Sequence, residues 1–191
     1  VNALCTSVLP DSQLTLLADL LDHDPADEGL PGLQVDTDLR WRIVTALAAG
    51  GRIDAGVDSG GPATPFIDAE LTRDPTAAGR RHAAAASAAR PQADVKHRAW
   101  RDVLEDDTLA NATARSIITG FVQPGQRDLL APYTKHYFDA ISSVWERRSS
   151  EVAQTVVVGL YPSWDISPEG IAAADWFLGG LHVPPPLRRL V

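Results

Sequence analysis

The chain carries five histidines, His23, His82, His97, His136 and His182, and a single cysteine, Cys5. A zinc platform on a helix needs two ligands at i and i+4 with a carboxylate between them, as in H-E-x-x-H. No two of these histidines have that spacing. Asp22-His23-Asp24 places three ligating types in a row, but neighbours on a turn point in different directions, so a solvated helix end is expected there. Glu105-Asp106-Asp107 is too short for a calcium loop and reads as a helix end followed by an acidic cap. No metal ligand is assigned.

One nucleophile phrase stands out. Val57-Asp58-Ser59-Gly60-Gly61-Pro62 comes close to the G-D-S-G-G-P phrase around the serine of chymotrypsin-like proteases. That chemistry requires a histidine base and an orienting aspartate within hydrogen-bond reach. Both precede the serine in those enzymes, and here only His23 does, in an acidic setting. The phrase is read as a glycine-rich loop. Gly50-Gly51 and Gly60-Gly61 lack the Lys-Ser/Thr that completes a phosphate cradle. No residue is assigned a catalytic or cofactor-binding role. Trp41, Trp100, Trp145 and Trp176 fall within helical stripes and are expected in the core. Trp164, in the loop Pro162-Ser163-Trp164-Asp165, is expected to be exposed.

The elements that would position any site are helices. Leu14, Leu17, Ala18 and Leu21 recur at i, i+3, i+4 and i+7, with Asp11 or Ser12 as cap. Leu39, Ile43, Ala46 and Leu47 make a second stripe, from about Asp36 to Gly50-Gly51. Residues 52–65 turn to Gly, Pro, Asp and Ser and read as a surface loop. Asp74-Pro75 opens an alanine-rich helix from Thr76 to Ala89, and Arg90-Pro91 separates it from a helix through Val95, Ala99, Trp100, Val103 and Leu104. A short helix from about Ala112 to Phe121 and a turn at Gln123-Pro124-Gly125-Gln126 follow. Leu130, Tyr133, Tyr137, Ile141, Val144 and Trp145 form the longest stripe. Val152, Val156 and Leu160 continue from a cap at Ser149 or Ser150, so Val156-Val157-Val158 is read as helix. Ser167-Pro168-Glu169 opens the last, to about Leu178. Helices joined by short turns, with no partner strands, predict an all-α fold without a sheet: an α-α superhelix of antiparallel, HEAT-like pairs, residues 1–191 forming one module.

Composition sets outer bounds. With 45% hydrophobic and 22% charged residues the chain is an ordinary globular sequence. A net charge of -8 argues against a nucleic-acid partner, which needs a basic face. No apolar run approaches the ~18 residues of a membrane span, so no membrane partner is expected. The lone cysteine permits no internal disulfide and points to a reducing compartment or simply to indifference, and a cytoplasmic location is expected. The lack of methionine, and Pro184-Pro185-Pro186-Leu187-Arg188-Arg189 reading as a helix opening, suggest a fragment of a larger protein.

Several phrases occur in a telling order: Asp38-Leu39-Arg40-Trp41-Arg42, Ile67-Asp68-Ala69-Glu70-Leu71, Arg73-Asp74, Ala88-Ala89-Arg90-Pro91, Lys96 with Ala99-Trp100, and Gly120-Phe121-Val122-Gln123-Pro124-Gly125-Gln126. Leu129-Leu130-Ala131-Pro132-Tyr133, Trp145-Glu146-Arg147-Arg148-Ser149 and Gly159-Leu160-Tyr161-Pro162 complete the series. From about Asp36 onward the chain resembles the C-terminal helical domain of the bacterial aminopeptidase N family, which are zinc-dependent gluzincins. The resemblance implies a non-catalytic module that closes a substrate chamber, while an N-terminal part of the same polypeptide removes N-terminal residues from peptides. Zinc is then expected in that parent enzyme and no cofactor in this chain, with peptides as indirect partners. Against the family's pattern, Ala55 to Pro65 looks like an insertion. Phe121, Gln126, Arg127 and Tyr133, on and around a turn between helices, are the candidates for facing the chamber. A free-standing helical-repeat scaffold that binds a protein or peptide is the alternative.

Overall fold

The computed structural model describes residues 1, 3–23, 30–52, 65–180 and 182–191. A 3-10 turn at Leu4–Thr6 precedes α1 (Asp11–Asp22), α2 (Thr37–Ala49), α3 (Pro65–Arg73), α4 (Ala77–Ala89), α5 (Ala93–Glu105) and α6 (Asn111–Phe121). Then come α7 (Arg127–Leu130), α8 (Pro132–Arg147), α9 (Ser150–Gly159), α10 (Pro168–Gly179) and α11 (Pro185–Arg188). No strand occurs among the described residues. The 52–65 loop and its Ser59 phrase lie outside the described residues except at their ends: Arg52 reaches Thr15 Oγ1, at 2.9 Å, and Pro65 opens α3. Asp24, of the Asp22-His23-Asp24 cluster, is likewise outside them.

Local chemistry sets the helix starts. Asp36 accepts from the Leu39 amide at 2.9 Å, Thr76 from Gly79 at 3.0 Å and Ser167 from Gly170 at 3.0 Å, each satisfying an amide that has no partner within its own helix. Pro132, Pro168 and Pro185 occupy first turns, where a missing N–H costs nothing. Pro132 also divides the long stripe into α7 and α8.

The helices lie in two layers. α4 packs between α2 and α6, and α6 packs against α9, forming an inner row. α1 lies on α2, α3 on α4, α5 on α6 and α8 on α9, with α10 against α8. Alanines make the row tight. A Cβ on Gly120 would stand 2.0 Å from the Ala85 carbonyl oxygen, so α6 meets the α4 backbone directly. Ala83, Ala86 and Ala89 of α4 join a core with α1, α2 and α3, while Ala88 faces a second core built from α5 to α11. α4 is the wall the two cores share.

A polar lattice locks the first core. Arg40 grips Glu70 through Nε at 2.9 and 3.0 Å and through Nη2 at 2.9 Å, and its Nη1 donates to the Leu21 carbonyl at 3.0 Å. The planar guanidinium thus joins the end of α1 to α2 and α3. Trp41 Nε1 donates to Asp74 at 2.9 Å, and its ring stacks on His82 at 5.8 Å between centroids.

The structure departs from the sequence reading at four points. The short amphipathic α3 was not foreseen, and Pro10, not Asp11 or Ser12, precedes α1. Trp164 is buried, because its loop folds back to set the ring 6.2 Å from Phe121. Trp176 is 79% exposed: Phe177 turns inward to meet Phe138 at 5.6 Å, and successive helical residues diverge by about 100°.

The close α4–α6 approach makes Gly120 the most sensitive position in the row. Gly120→Ala forces the two backbones apart and is expected to lower stability by about 1–3 kcal/mol, read as a fall in the urea midpoint at unchanged slope.

Candidate functional site

Three inner helices end at one place, and their last carbonyls need donors. Gln126 Nε2 donates to Ala49 at the end of α2, at 3.0 Å, and to Ala89 at the end of α4, at 2.8 Å. Lys96, from α5, donates through Nζ to Ala88 at 2.8 Å and to Phe121, at the end of α6, at 3.0 Å. Two side chains therefore gather the C-termini of α2, α4 and α6, which fixes these helices as parallel. The partial negative charge of helix C-termini converges on the same spot.

Lys96 is fully buried. Burial pushes its pKa down from 10.5 to about 7, because a low-dielectric surrounding disfavours the charged form. A neutral amine has two N–H groups, and two carbonyls receive them. In the charged form a third N–H remains, and the nearest π-face is the Phe121 ring, 5.7 Å from Nζ, within the range of a cation–π contact. With no exposed surface the amine meets no substrate, so its chemistry is that of a clamp.

An aromatic cluster surrounds the clamp. Trp100 stands 5.8 Å from Phe121 and 5.0 Å from Tyr133, and Phe121 meets Tyr133 edge-on at 5.0 Å. Nearby, Tyr137 donates to the Val157 carbonyl at 2.8 Å, joining α8 to α9. Burial raises the pKa of Tyr137, with Tyr161 adding to the shift, and burial likewise raises that of Tyr133. Hydrogen bonds from the Ser167 hydroxyl at 2.6 Å and amide at 3.1 Å hold the Asp165 carboxyl below the usual range.

Of the four residues singled out from the sequence, Phe121, Gln126 and Tyr133 are buried in or beside this cluster, and Arg127 is exposed at the start of α7. The structure brings the first three together; Arg127 stands at their solvent edge. Lys96 was the residue sequence reasoning passed over. Its signal was present: it lies at i−3 from Ala99, i−4 from Trp100 and i−7 from Val103, on the buried stripe of α5. Among the described residues no group of three or more His, Cys, Asp or Glu side chains is placed to hold a metal ion. No helix among them is long and apolar enough to cross a membrane.

Comparison with known proteins adds to this geometry. A family model described as "ERAP1-like C-terminal domain" matches residues 1–191. Aminopeptidase N of Streptomyces lividans is 46% identical over 190 residues, covering 100% of this chain and 21% of that protein. The chain thus spans about a fifth of the length of that relative.

The buried amine gives stability a distinct pH dependence. Between the folded pKa of about 7 and the ordinary 10.5, the unfolded chain holds a proton that the fold does not. Stability therefore rises with pH from about 7, by up to about 1.4 kcal/mol per pH unit. Raised tyrosine pKa values reverse the trend above about pH 10, where unfolded tyrosines ionise first. The urea midpoint should climb between pH 7 and 9.5 in the native sequence. Lys96→Met should remove that climb and, by stranding two carbonyls, cost about 1–3 kcal/mol.

Proposed function

The chain belongs to the ERAP1-like C-terminal domain family, and from that premise we propose that it is the non-catalytic C-terminal domain of a cytoplasmic zinc aminopeptidase. In this reading it closes the substrate chamber, while another part of the same polypeptide removes N-terminal residues from peptides. The observation that carries the proposal is the end-to-end match of this chain to one fifth of an aminopeptidase N, together with described residues that offer no metal-holding cluster. Zinc, held outside this chain, would polarise the attacked carbonyl and lower the pKa of a bound water.

What this chain supplies is a wall. Its inner row is held rigid where Lys96 and Gln126 gather the helix ends. A rigid wall excludes bulk water and limits which peptides enter, acting on the reaction without touching it. Arg127 is the exposed member of the four candidate residues and reaches the chamber. Phe121, Gln126 and Tyr133 hold its turn from beneath.

The test compares two proteins, this chain alone and the full-length protein that contains it, on aminoacyl-amide substrates. The isolated chain should release nothing with or without added zinc. The full-length protein should cleave, stop when a chelator is added and recover with zinc. Hydrolysis by the purified chain alone, or metal-independent cleavage by the whole, sinks the proposal. In the full-length protein, Arg127→Ala should raise KM for peptides several-fold while leaving kcat for a small aminoacyl-amide nearly unchanged.

A further inference from the structure

The outer layer carries a groove unrelated to the helix-end clamp. It opens between α8 and α10, with a volume of about 710 Å³. Phe138 and Phe177, 5.6 Å apart, form an apolar floor. One wall is the α8 stripe Asp139, Ser142 and Glu146, at i, i+3 and i+7, residues that a helix places on one side. Trp176 stands on the opposite rim, 79% exposed. An indole of that exposure beside carboxylates and an apolar floor is unusual on a soluble surface.

The charged side chains lining the groove are two carboxylates, Asp139 and Glu146, and the imidazole of His182 lines it with them. Asp139 is bonded by Lys135, an exposed i,i+4 pair, and such pairs are weak enough to exchange partners. Glu146 makes no ion pair among the described residues. Gly180, which lines the groove, accepts through its carbonyl from Arg188 at 2.8 Å. Two carboxylates and a tryptophan face are the groups that recognise a guanidinium or ammonium, the first by charge-assisted hydrogen bonds and the second by cation–π attraction.

We propose that the α8–α10 groove is a docking site for a free peptide that presents an arginine or lysine beside an apolar residue. The cation lies between Glu146 and the Trp176 ring, and the apolar side chain rests on Phe138 and Phe177. The groove uses none of the residues placed at the chamber, so the proposal stands apart from the catalytic reading.

The experiment uses the full-length protein and a fluorescein-labelled decapeptide containing an Arg-Leu-Leu-Arg core, N-acetylated so that an aminopeptidase cannot consume it. Fluorescence anisotropy should show saturable binding that weakens with salt. Trp176→Ala and Glu146→Lys should each weaken it by at least about tenfold, while melting temperature and aminoacyl-amide hydrolysis stay as in the native protein. A Glu-Leu-Leu-Glu peptide should not bind. No binding by the native protein, equal binding by either variant, or equal binding of the acidic peptide overturns the proposal. So does a dimer that Trp176→Ala dissolves, since the groove would then be filled by a second copy.

Discussion

Every inner helix that ends without a partner leaves carbonyls to be satisfied, and here two side chains do that for three helices at once. Lys96 and Gln126 donate four hydrogen bonds to Ala88, Phe121, Ala49 and Ala89. An unmet buried carbonyl costs about 1–3 kcal/mol, so the row of α2, α4 and α6 depends on these donors as much as on its apolar contacts. Burying a lysine opposes this gain. The opposition is limited because the amine can give up its proton near neutrality, leaving two N–H groups for two acceptors.

The clamp requires the helix ends to be close, and that closeness comes from small residues. α4 reads Ala-Ala-Gly-Arg-Arg-His-Ala-Ala-Ala-Ala-Ser-Ala-Ala, which buries little area per residue. Its role is geometric. With Gly120 against the Ala85 carbonyl, the α4 and α6 axes approach far enough for one Nζ to reach both termini. The bulk missing from this contact is made up elsewhere, by Trp41 in one core and by Trp100, Phe121, Tyr133 and Tyr137 in the other.

Much of this was legible in the sequence, and the failures have physical causes. Helical periodicity, caps and prolines located α2, α4, α5, α6, α8, α9 and α10, because an apolar stripe and an N-cap are local signals. α3 escaped because a helix as short as Pro65–Arg73 shows barely two turns of any pattern. Trp164 and Trp176 were assigned to the wrong sides, since periodicity cannot tell which of two adjacent aromatics, Trp176 or Phe177, faces the neighbouring helix. Lys96 was overlooked because lysine is a surface residue by default, although its place on the stripe with Trp100 and Val103 contradicted that default. Gln126 was singled out, but its reach to Ala49, 77 residues away in sequence, is a tertiary fact that no local pattern carries.

The two ends of the inner row are built differently. At the C-terminal end the tethers are buried, so water cannot compete for them and salt barely screens them. At the opposite end α6 and α9 meet through exposed pairs, Asn111 to Glu151 at 2.6 Å and Arg115 to Thr155 at 3.4 Å. Solvent replaces such bonds at little cost, so at that end the row is held by apolar packing, Ile118 of α6 sharing a core with Val156 and Val157 of α9. The polar tethers of one end are thus matched at the other by side chains of the second core, and the two ends depend on different interactions.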